Sequence, residues 1–279
     1  MNVLLLIFAS AVLLAAVDIL SKKSLQHRHS IAFNAARGAW SLLLLLLIAP
    51  FILTPIAFRE IVIIFIISIL LTAEVHFYYK ALRHLDISIA SPLMELTPLF
   101  LLILAMLFLH ERLHVVNIAG IILIVSGAFL LNLDLSAFKE KVKGHYVLLA
   151  VLAAALGGVV ATLQKFSIAT VPPLVLGWWL WVFVNVLLII FSVVQHGFKE
   201  LFEEVKQKHL FTISVLGISS NFAFLLALPL AFVSIVLPLR RISILFSVIA
   251  GGELFKEKHV LLRSIATFIM LGGTVLLIL

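Results

Sequence analysis

The chain contains no cysteine and few charged residues. The absence of cysteine among 279 residues excludes disulfides, thiolate metal sites and cysteine nucleophiles. Charged residues make up 12% of the chain and apolar residues 64%, whereas soluble proteins average about 25% and roughly 45–50%. A water-soluble fold cannot bury so large an apolar fraction, so the composition excludes a soluble globular protein.

The chain also lacks the short motifs of nucleotide-dependent and serine-dependent enzymes. It has no P-loop motif, no dinucleotide-binding glycine fingerprint and no nucleophile elbow. We therefore expect no enzyme activity, no catalytic residue, no bound metal and no cofactor.

Long apolar runs are what the sequence does contain. A membrane-spanning helix needs about 20 mostly apolar residues, and ten such segments fit into this chain. They predict an all-α integral membrane protein with ten transmembrane helices. The first segment lacks a basic leader and a cleavage site, so we expect it to be a retained span. The predicted spans are 3–20, 31–50, 60–79, 87–109, 115–133, 145–164, 174–195, 210–229, 233–254 and 260–279.

The basic residues lie mostly between these spans. The chain has 20 Lys and Arg against 13 Asp and Glu, a formal net charge of +7. No basic face alternates with exposed aromatic residues, so nucleic acid is not an expected partner. Anionic lipid headgroups and membrane topology explain the basic residues better.

The two halves of the chain resemble each other. An offset of 146 residues places 81–133 on 227–279, with Ser88 on Ser234 and Gly127 on Gly273. We therefore predict two five-helix repeats, residues 1–133 and residues 145–279, joined by a linker at 134–144.

An odd number of spans per repeat predicts that the repeats have opposite orientations in the membrane. The odd-numbered loops hold 13 Lys and Arg, whereas the even-numbered loops hold three. Equivalent loops thus carry opposite charge bias, as inverted repeats require. The positive-inside rule then predicts cytoplasmic odd loops and external termini.

Several local motifs resemble those of one known family. The chain is similar to the drug/metabolite transporter superfamily, in its ten-helix group with two EamA repeats. That resemblance implies transport of small solutes by alternating access across the cytoplasmic (inner) membrane, often as export, and cytoplasmic termini. The motifs that carry it are Tyr79–Leu82, Asp86–Leu93, Pro98–Phe100, Leu109–Leu113, Gly120 and Gly127 in the first half, and Pro238, Arg240–Ser243, Gly251–Glu257 and Gly272–Gly273 in the second.

Five ionisable residues lie deep within predicted spans. A charge at the bilayer centre costs about 2.5–3.5 kcal/mol, so these residues must face the protein interior, form pairs or line water. The five residues are Arg37, Glu74, Glu95, Arg240 and Arg241.

The repeat offset relates two of these residues. Glu95 is equivalent to Arg241, so equivalent positions carry opposite charges. We predict that Glu95 pairs with Arg241 or Arg240 and acts as a gate or a substrate site. The alternative is an ion pair that only fixes helix register.

Prolines accompany both members of the pair. Pro92 and Pro238 occupy equivalent positions, and each can kink its helix because proline removes a backbone donor. Ser88, Ser91 and Glu95 share one helix face, which indicates a polar cavity. The alternative is that the prolines only shape packing.

The remaining deep polar residues fall on predicted spans 3, 7 and 8. Glu74 has Tyr78 one turn away, and it is either a proton carrier or the partner of Arg37. Asn221 is a further candidate for solute binding. Another set shares a face of span 7 and predicts an aromatic wall with one polar anchor, or instead an interfacial tryptophan belt; its members are Trp178, Trp181 and Asn185.

Two lysines stand at equivalent span ends. Lys22 and Lys165 either extend to the membrane interface or contact the solute at the mouth of a cavity. Together with the deep arginines they favour an anionic or zwitterionic solute.

One motif resembles a zinc protease signature. Residues His110 to His114 fit H-E-x-x-H, but the equivalent segment Lys256–Val260 keeps only the glutamate. We therefore expect Glu111 to cap the first turn of the next helix, not to serve in a zinc site.

The sequence as a whole predicts a secondary transporter for a small metabolite. Its expected partners are a small-molecule solute, membrane lipids and protons, and it functions as a monomer or a homodimer. A flippase for a lipid-linked sugar is the alternative, and an intramembrane zinc-dependent hydrolase is a remote one.

Overall fold

All regular structure in the described part of the chain is helical. The structure, a computed structural model, describes residues 2–25, 30–82, 93–132, 144–243, 246 and 260–278. One 3₁₀ helix, Leu228–Leu230, lies among eleven α-helices in these ranges. The α-helices are α1 (Val3–Leu25), α2 (Ser30–Ile52), α3 (Phe58–Leu82), α4 (Thr97–Phe108), α5 (Val115–Asn132), α6 (Gly144–Ser167), α7 (Pro173–His196), α8 (Phe198–Val205), α9 (Lys208–Ala227), α10 (Val233–Arg240) and α11 (Val260–Ile278).

Six of the described helices are long and apolar enough to cross a membrane. Large apolar side chains such as Leu46, Phe51 and Phe268 remain exposed on helix surfaces, which suits contact with lipid. The chain is thus a multi-pass helical membrane protein, as its composition predicts. These six candidate spans lie in α1, α2, α3, α6, α7 and α9.

The chain packs into two compact units. The first unit contains Met1–Thr72 and Phe166–Leu230, and the second contains Ala73–Lys165 and Ala231–Leu279. Each unit therefore takes segments from both halves of the sequence. The predicted repeats divide the sequence in another way, and that division stays a prediction.

Polar side chains join the helices of the first unit. The hydroxyls of Ser10 and Ser220 each donate to the other residue's backbone carbonyl at 2.8 Å and tie α1 to α9. The indole N–H of Trp178 donates to the carbonyl of Leu45 at 2.7 Å and ties α7 to α2. Such contacts hold helices together where lipid provides no hydrophobic driving force.

Glycines bring α5 and α11 into close contact within the second unit. A Cβ added at Gly127 would lie 2.8 Å from the carbonyl oxygen of Ala266, and one added at Gly273 would lie 2.7 Å from that of Gly120. Both neighbours are backbone atoms, so a side chain could be accommodated only by moving a helix. Small residues thus allow close helix packing at these positions.

The helix of predicted span 4 is interrupted beside Glu95. Residues 93–94 are helical, residues 95–96 form a turn, and α4 begins at Thr97. Pro98 cannot donate to the carbonyl of Met94, and the hydroxyl of Thr97 donates to that carbonyl instead, at 2.7 Å. Predicted span 87–109 therefore contains a helix break at residues 95–96. The kink predicted at Pro92 lies outside the described residues.

Predicted span 9 is interrupted in the same manner. The helix α10 ends at Arg240, and residues 241–242 form a turn. Pro238 lies inside α10 and removes the hydrogen bond to the carbonyl of Ser234. Predicted span 233–254 therefore contains a helix break at residues 241–242, three residues after Pro238, where the sequence predicts a kink.

A short amphipathic helix occupies the polar stretch that precedes α9. Helix α8 buries Leu201 and leaves Phe198 and Phe202 exposed, with their rings stacked. The indole N–H of Trp40 donates to the carbonyl of Val205 at 2.9 Å and so fixes the C-terminal end of α8. The spacing of its apolar residues is the sequence signal for this helix, whereas the ten-span prediction counted only long apolar runs.

We expect Gly273→Ala to destabilise the protein and Gly272→Ala to leave it unchanged or slightly more stable. The first change forces a methyl group against backbone atoms of α5, which should cost about 1–3 kcal/mol. A Cβ added at Gly272 would meet no atom within 4 Å, so this glycine serves as a matched control one residue away. Thermal unfolding in detergent measures both, and equal shifts for the two variants would refute close packing at Gly273.

We expect His110→Val to be less stable than His110→Gly by about 1–2 kcal/mol. His110 has φ 52°, the left-handed region that glycine adopts freely and a β-branched residue resists. This conformation lets the N–H of Glu111 donate to the carbonyl of Ala105 at 3.2 Å. Thermal unfolding of both variants measures the difference, and equal stability would contradict the left-handed turn.

Candidate functional site

An ion pair lies at the helix breaks of the second unit. Nη1 of Arg241 lies 3.4 Å from Oε1 of Glu95, and the Glu95 side chain is only 4% exposed. Glu95 is in the turn before α4, and Arg241 is in the turn after α10. The predicted pairing of Glu95 with Arg241 is therefore present. Its role as a gate or substrate site stays a prediction.

A second carboxylate, that of Glu74, interacts electrostatically with the same arginine. The charge of Arg241 acts on the carboxylates of both Glu74 and Glu95. Oε1 of Glu74 lies against the backbone of α6, since a Cβ at Gly157 would be 2.9 Å away from it. Glycine at this position thus leaves room for the carboxylate between α3 and α6.

One carboxylate oxygen of this cluster lacks a hydrogen-bond donor within the described part of the chain. Oε2 of Glu95 is buried and accepts no hydrogen bond from any residue in the described ranges. A buried acceptor without a donor is costly unless a proton or a ligand satisfies it. Oε2 of Glu95 can therefore take up a proton or accept a hydrogen bond from a ligand.

Two neighbouring predicted residues belong to the same unit. Arg240 ends α10 beside Arg241 and is half-buried. Tyr78 is half-buried one turn after Glu74 and packs against the small cluster around Ala81 and Ala150. Both residues make further contacts within the protein.

Glu111 caps a different helix from the one predicted. Its carboxylate accepts hydrogen bonds from the N–H of Val233 at 2.8 Å, from the N–H of Ser234 at 3.3 Å and from the hydroxyl of Ser234. These donors form the start of α10, whereas the N–H of His114 before α5 donates to Asn117. The expectation that Glu111 caps the next helix along the chain is therefore wrong, because the turn at His110 directs it towards α10.

Lys165 is bound to the same segment of chain. Its Nζ donates to the carbonyl of Ala231 at 2.7 Å, two residues before α10 begins. The side chain is half-buried, and its predicted place at the membrane interface or at the solute stays a prediction. The side chain of Lys22 lies outside the described residues.

The first unit holds the predicted residues of spans 2, 7 and 8. Asn185 of α7 is buried, and its Oδ1 would lie 3.0 Å from a Cβ at Gly38 of α2. Its Nδ2 donates to no group in the described ranges. Trp181 is half-buried one turn earlier on α7. Trp178 is buried and hydrogen-bonded to α2, and the aromatic wall and the interfacial belt both stay predictions.

Arg37 and Asn221 occupy α2 and α9 of the same unit. Both side chains are half-buried, and the carbonyl of Arg37 accepts from Ser214 at 2.8 Å. Nδ2 of Asn221 donates to the carbonyl of Gly217 one turn earlier, at 2.9 Å. Arg37 and Glu74 belong to different compact units, and their pairing stays a prediction.

The zinc motif does not have the geometry of a zinc site. A working H-E-x-x-H motif places both histidines on one face of a helix, but residues 109–114 are not helical. His110 and His114 are exposed, whereas Glu111 is buried against α10. The described ranges contain no group of three His, Cys, Asp or Glu residues placed to hold a metal ion.

Comparison with known proteins gives one family and one fold. No curated protein sequence matches the chain. A solved crystal structure matches it with a TM-score of 0.76 and 16% sequence identity, covering 98% of this chain and 95% of the other, which establishes a shared fold alone. The sequence pattern of the EamA-like transporter family matches residues 1–133. The first half of this chain is thus similar to the EamA-like transporter family, as its motifs indicate.

Proposed function

We propose that the protein is a secondary transporter that moves a small metabolite across the cytoplasmic (inner) membrane by alternating access, in the direction of export. An amino acid or an organic anion is the proposed class of solute. The single observation that carries the proposal is the Glu95–Arg241 pair, which lies where two helices are interrupted.

Interrupted helices are a common feature of transporter sites. Solute and ion sites in secondary transporters form where discontinuous helices from two inverted repeats approach each other. Here the turns at 95–96 and 241–242 are related by the 146-residue offset, and each carries a charged residue. This correspondence supports a ten-helix architecture built from two inverted five-helix repeats.

Contacts between equivalent residues support the same architecture. Glu95 contacts the residue that the offset assigns to it, as expected for a pair near a pseudo-two-fold axis. The contact of Gly127 with Ala266 likewise becomes that of Gly273 with Gly120 when the offset is applied. We therefore place the solute site at the Glu95–Arg241 pair, near the middle of the bilayer.

The chemistry of the pair suits a solute with a carboxylate. Arginine binds carboxylates through its planar, multi-donor guanidinium. A solute carboxylate at Arg241 would replace Glu95 as its partner. Glu95 and Glu74 would then be available for a proton or for the ammonium group of a zwitterionic solute. Either event links solute binding to the charge state of the two carboxylates.

The polar residues of the first unit are proposed as candidates for solute binding within that unit. Asn185 is the strongest of them, because its buried Nδ2 lacks an assigned acceptor in the described ranges. The proposed contacts in this unit are Arg37, Trp181, Asn185 and Asn221.

We expect one class of ligand to raise the melting temperature of the wild type and not that of Glu95→Gln or Arg241→Gln. A ligand that binds only the folded protein stabilises it, by about 2.7 kcal/mol at 100 times its Kd. A thermal-shift screen of amino acids, organic acids, sugars and nucleotides measures this. The matched control is the exposed Lys206–Glu203 pair, tested as Glu203→Gln and Lys206→Gln.

Each outcome of the screen decides a different point. A ligand that stabilises the two site variants as well as the wild type would make the Glu95–Arg241 pair structural. The site would then be sought around Asn185. Stabilisation by none of these solutes would favour the alternative, a lipid-linked sugar as substrate.

We expect Glu74→Gln to abolish transport driven by a pH gradient and to preserve exchange of the solute at equal pH. The amide cannot carry a proton across the membrane, but it keeps the shape of the site. Uptake into proteoliposomes of the solute that gave the largest thermal shift, with and without a pH gradient, measures this. Glu60→Gln, near the start of the same helix, is the control. Full gradient-driven uptake by Glu74→Gln would remove Glu74 as the proton carrier.

A further inference from the structure

We propose that Glu111 is a positioning residue that fixes Arg241 against Glu95 through helix α10. This inference rests on the proposed function, because Arg241 is the residue proposed to bind the solute. Glu111 does not touch the ion pair itself. It acts at the opposite end of the helix that carries Arg241.

Two buried carboxylates flank α4 and hold the two ends of α10. Glu95 precedes α4 and pairs with Arg241 at the end of α10. Glu111 follows α4 and accepts the two N–H groups and the hydroxyl at the start of α10. The two helices are therefore antiparallel, and each end of their contact is fixed by one carboxylate.

Helix α10 depends strongly on this external cap. It has eight residues and a length of about 12 Å, so its first N–H groups are a large part of its backbone donors. Pro238 removes one of its few internal hydrogen bonds. Ser234 is fully buried, so no water is available to replace the carboxylate of Glu111.

A third contact fixes the chain just before this helix. Nζ of Lys165 donates to the carbonyl of Ala231 at 2.7 Å, and the charges of Lys165 and Glu111 attract each other. The start of α10 is thus held by a carboxylate and an ammonium group together. A helix of two turns transmits the position of its start to its end, where Arg241 lies.

The test is a double-mutant cycle measured in different backgrounds. Melting temperatures of Glu95→Gln, Arg241→Gln and the double variant give the coupling between the two residues as the non-additive part of their shifts. The cycle is repeated in Glu111→Ala and in Glu111→Gln, which keeps one acceptor oxygen and the side-chain length. Glu60→Ala, which removes a carboxylate bonded to Thr170 in the other unit, is the matched control.

The coupling is expected to fall by about half or more in Glu111→Ala, to be intermediate in Glu111→Gln and to be unchanged in Glu60→Ala. If Glu111→Ala does not fold, the Glu111→Gln cycle decides alone. A lowered melting temperature with unchanged coupling in the Glu111 variants would overturn the proposal and leave Glu111 as a helix cap only. Absence of coupling in the wild-type background would also overturn it.

This cycle needs no solute, so its failure differs from failure of the proposed function. The positioning role alone would be rejected if a ligand failed to stabilise Arg241→Gln while the Glu95–Arg241 coupling stayed unchanged in the Glu111 variants. The proposed site alone would be rejected if the coupling fell in the Glu111 variants while a ligand stabilised Arg241→Gln as well as the wild type.

Discussion

A charged side chain buried in an apolar protein must find a partner, and the second unit of this protein contains one such pair. Neither Glu95 nor Arg241 can face lipid without a cost of about 2.5–3.5 kcal/mol each. Their pairing places the start of α4 beside the end of α10. The interrupted helices, the buried glutamate that caps α10 and the lysine bound to Ala231 are all consistent with that placement.

Polar side chains beside the pair explain how the helix breaks are tolerated in so apolar a protein. Ending a helix within a span leaves backbone groups without hydrogen-bond partners, which lipid cannot supply. Here side chains supply some of them: Thr97 donates to the carbonyl of Met94, and Glu111 accepts from Val233 and Ser234. The breaks therefore require polar side chains to satisfy backbone groups that an unbroken helix would pair internally. Such a cost is reasonable where the breaks form a site.

The sequence predicted the helices well and their interruptions poorly. Apolar composition defines a span such as 174–195 closely, because α7 runs from Pro173 to His196. The Glu95–Arg241 pair was also accessible, since opposite charges at equivalent positions of a repeat are unusual. The prolines predicted kinks in both spans, but not the full breaks at 95–96 and 241–242, because hydropathy is similar on both sides of them. The partner of Glu111 was missed because capping of α10 joins residues 122 positions apart, which no local pattern reveals.

A structural ion pair and a transport site place different demands on the same residues. A pair that only fixes register is most stable when it is short and fully hydrogen-bonded, with distances of about 2.7–2.9 Å. The Glu95–Arg241 contact is 3.4 Å, and one oxygen of Glu95 lacks a donor in the described ranges. Arginine has five donors, and Glu95 accepts from one of them. A loosely held pair with spare capacity on both sides can exchange its partner for a solute, whereas a tight pair would resist it. The geometry therefore favours a replaceable contact, held in position by the firmer hydrogen bonds of Glu111 at the other end of α10.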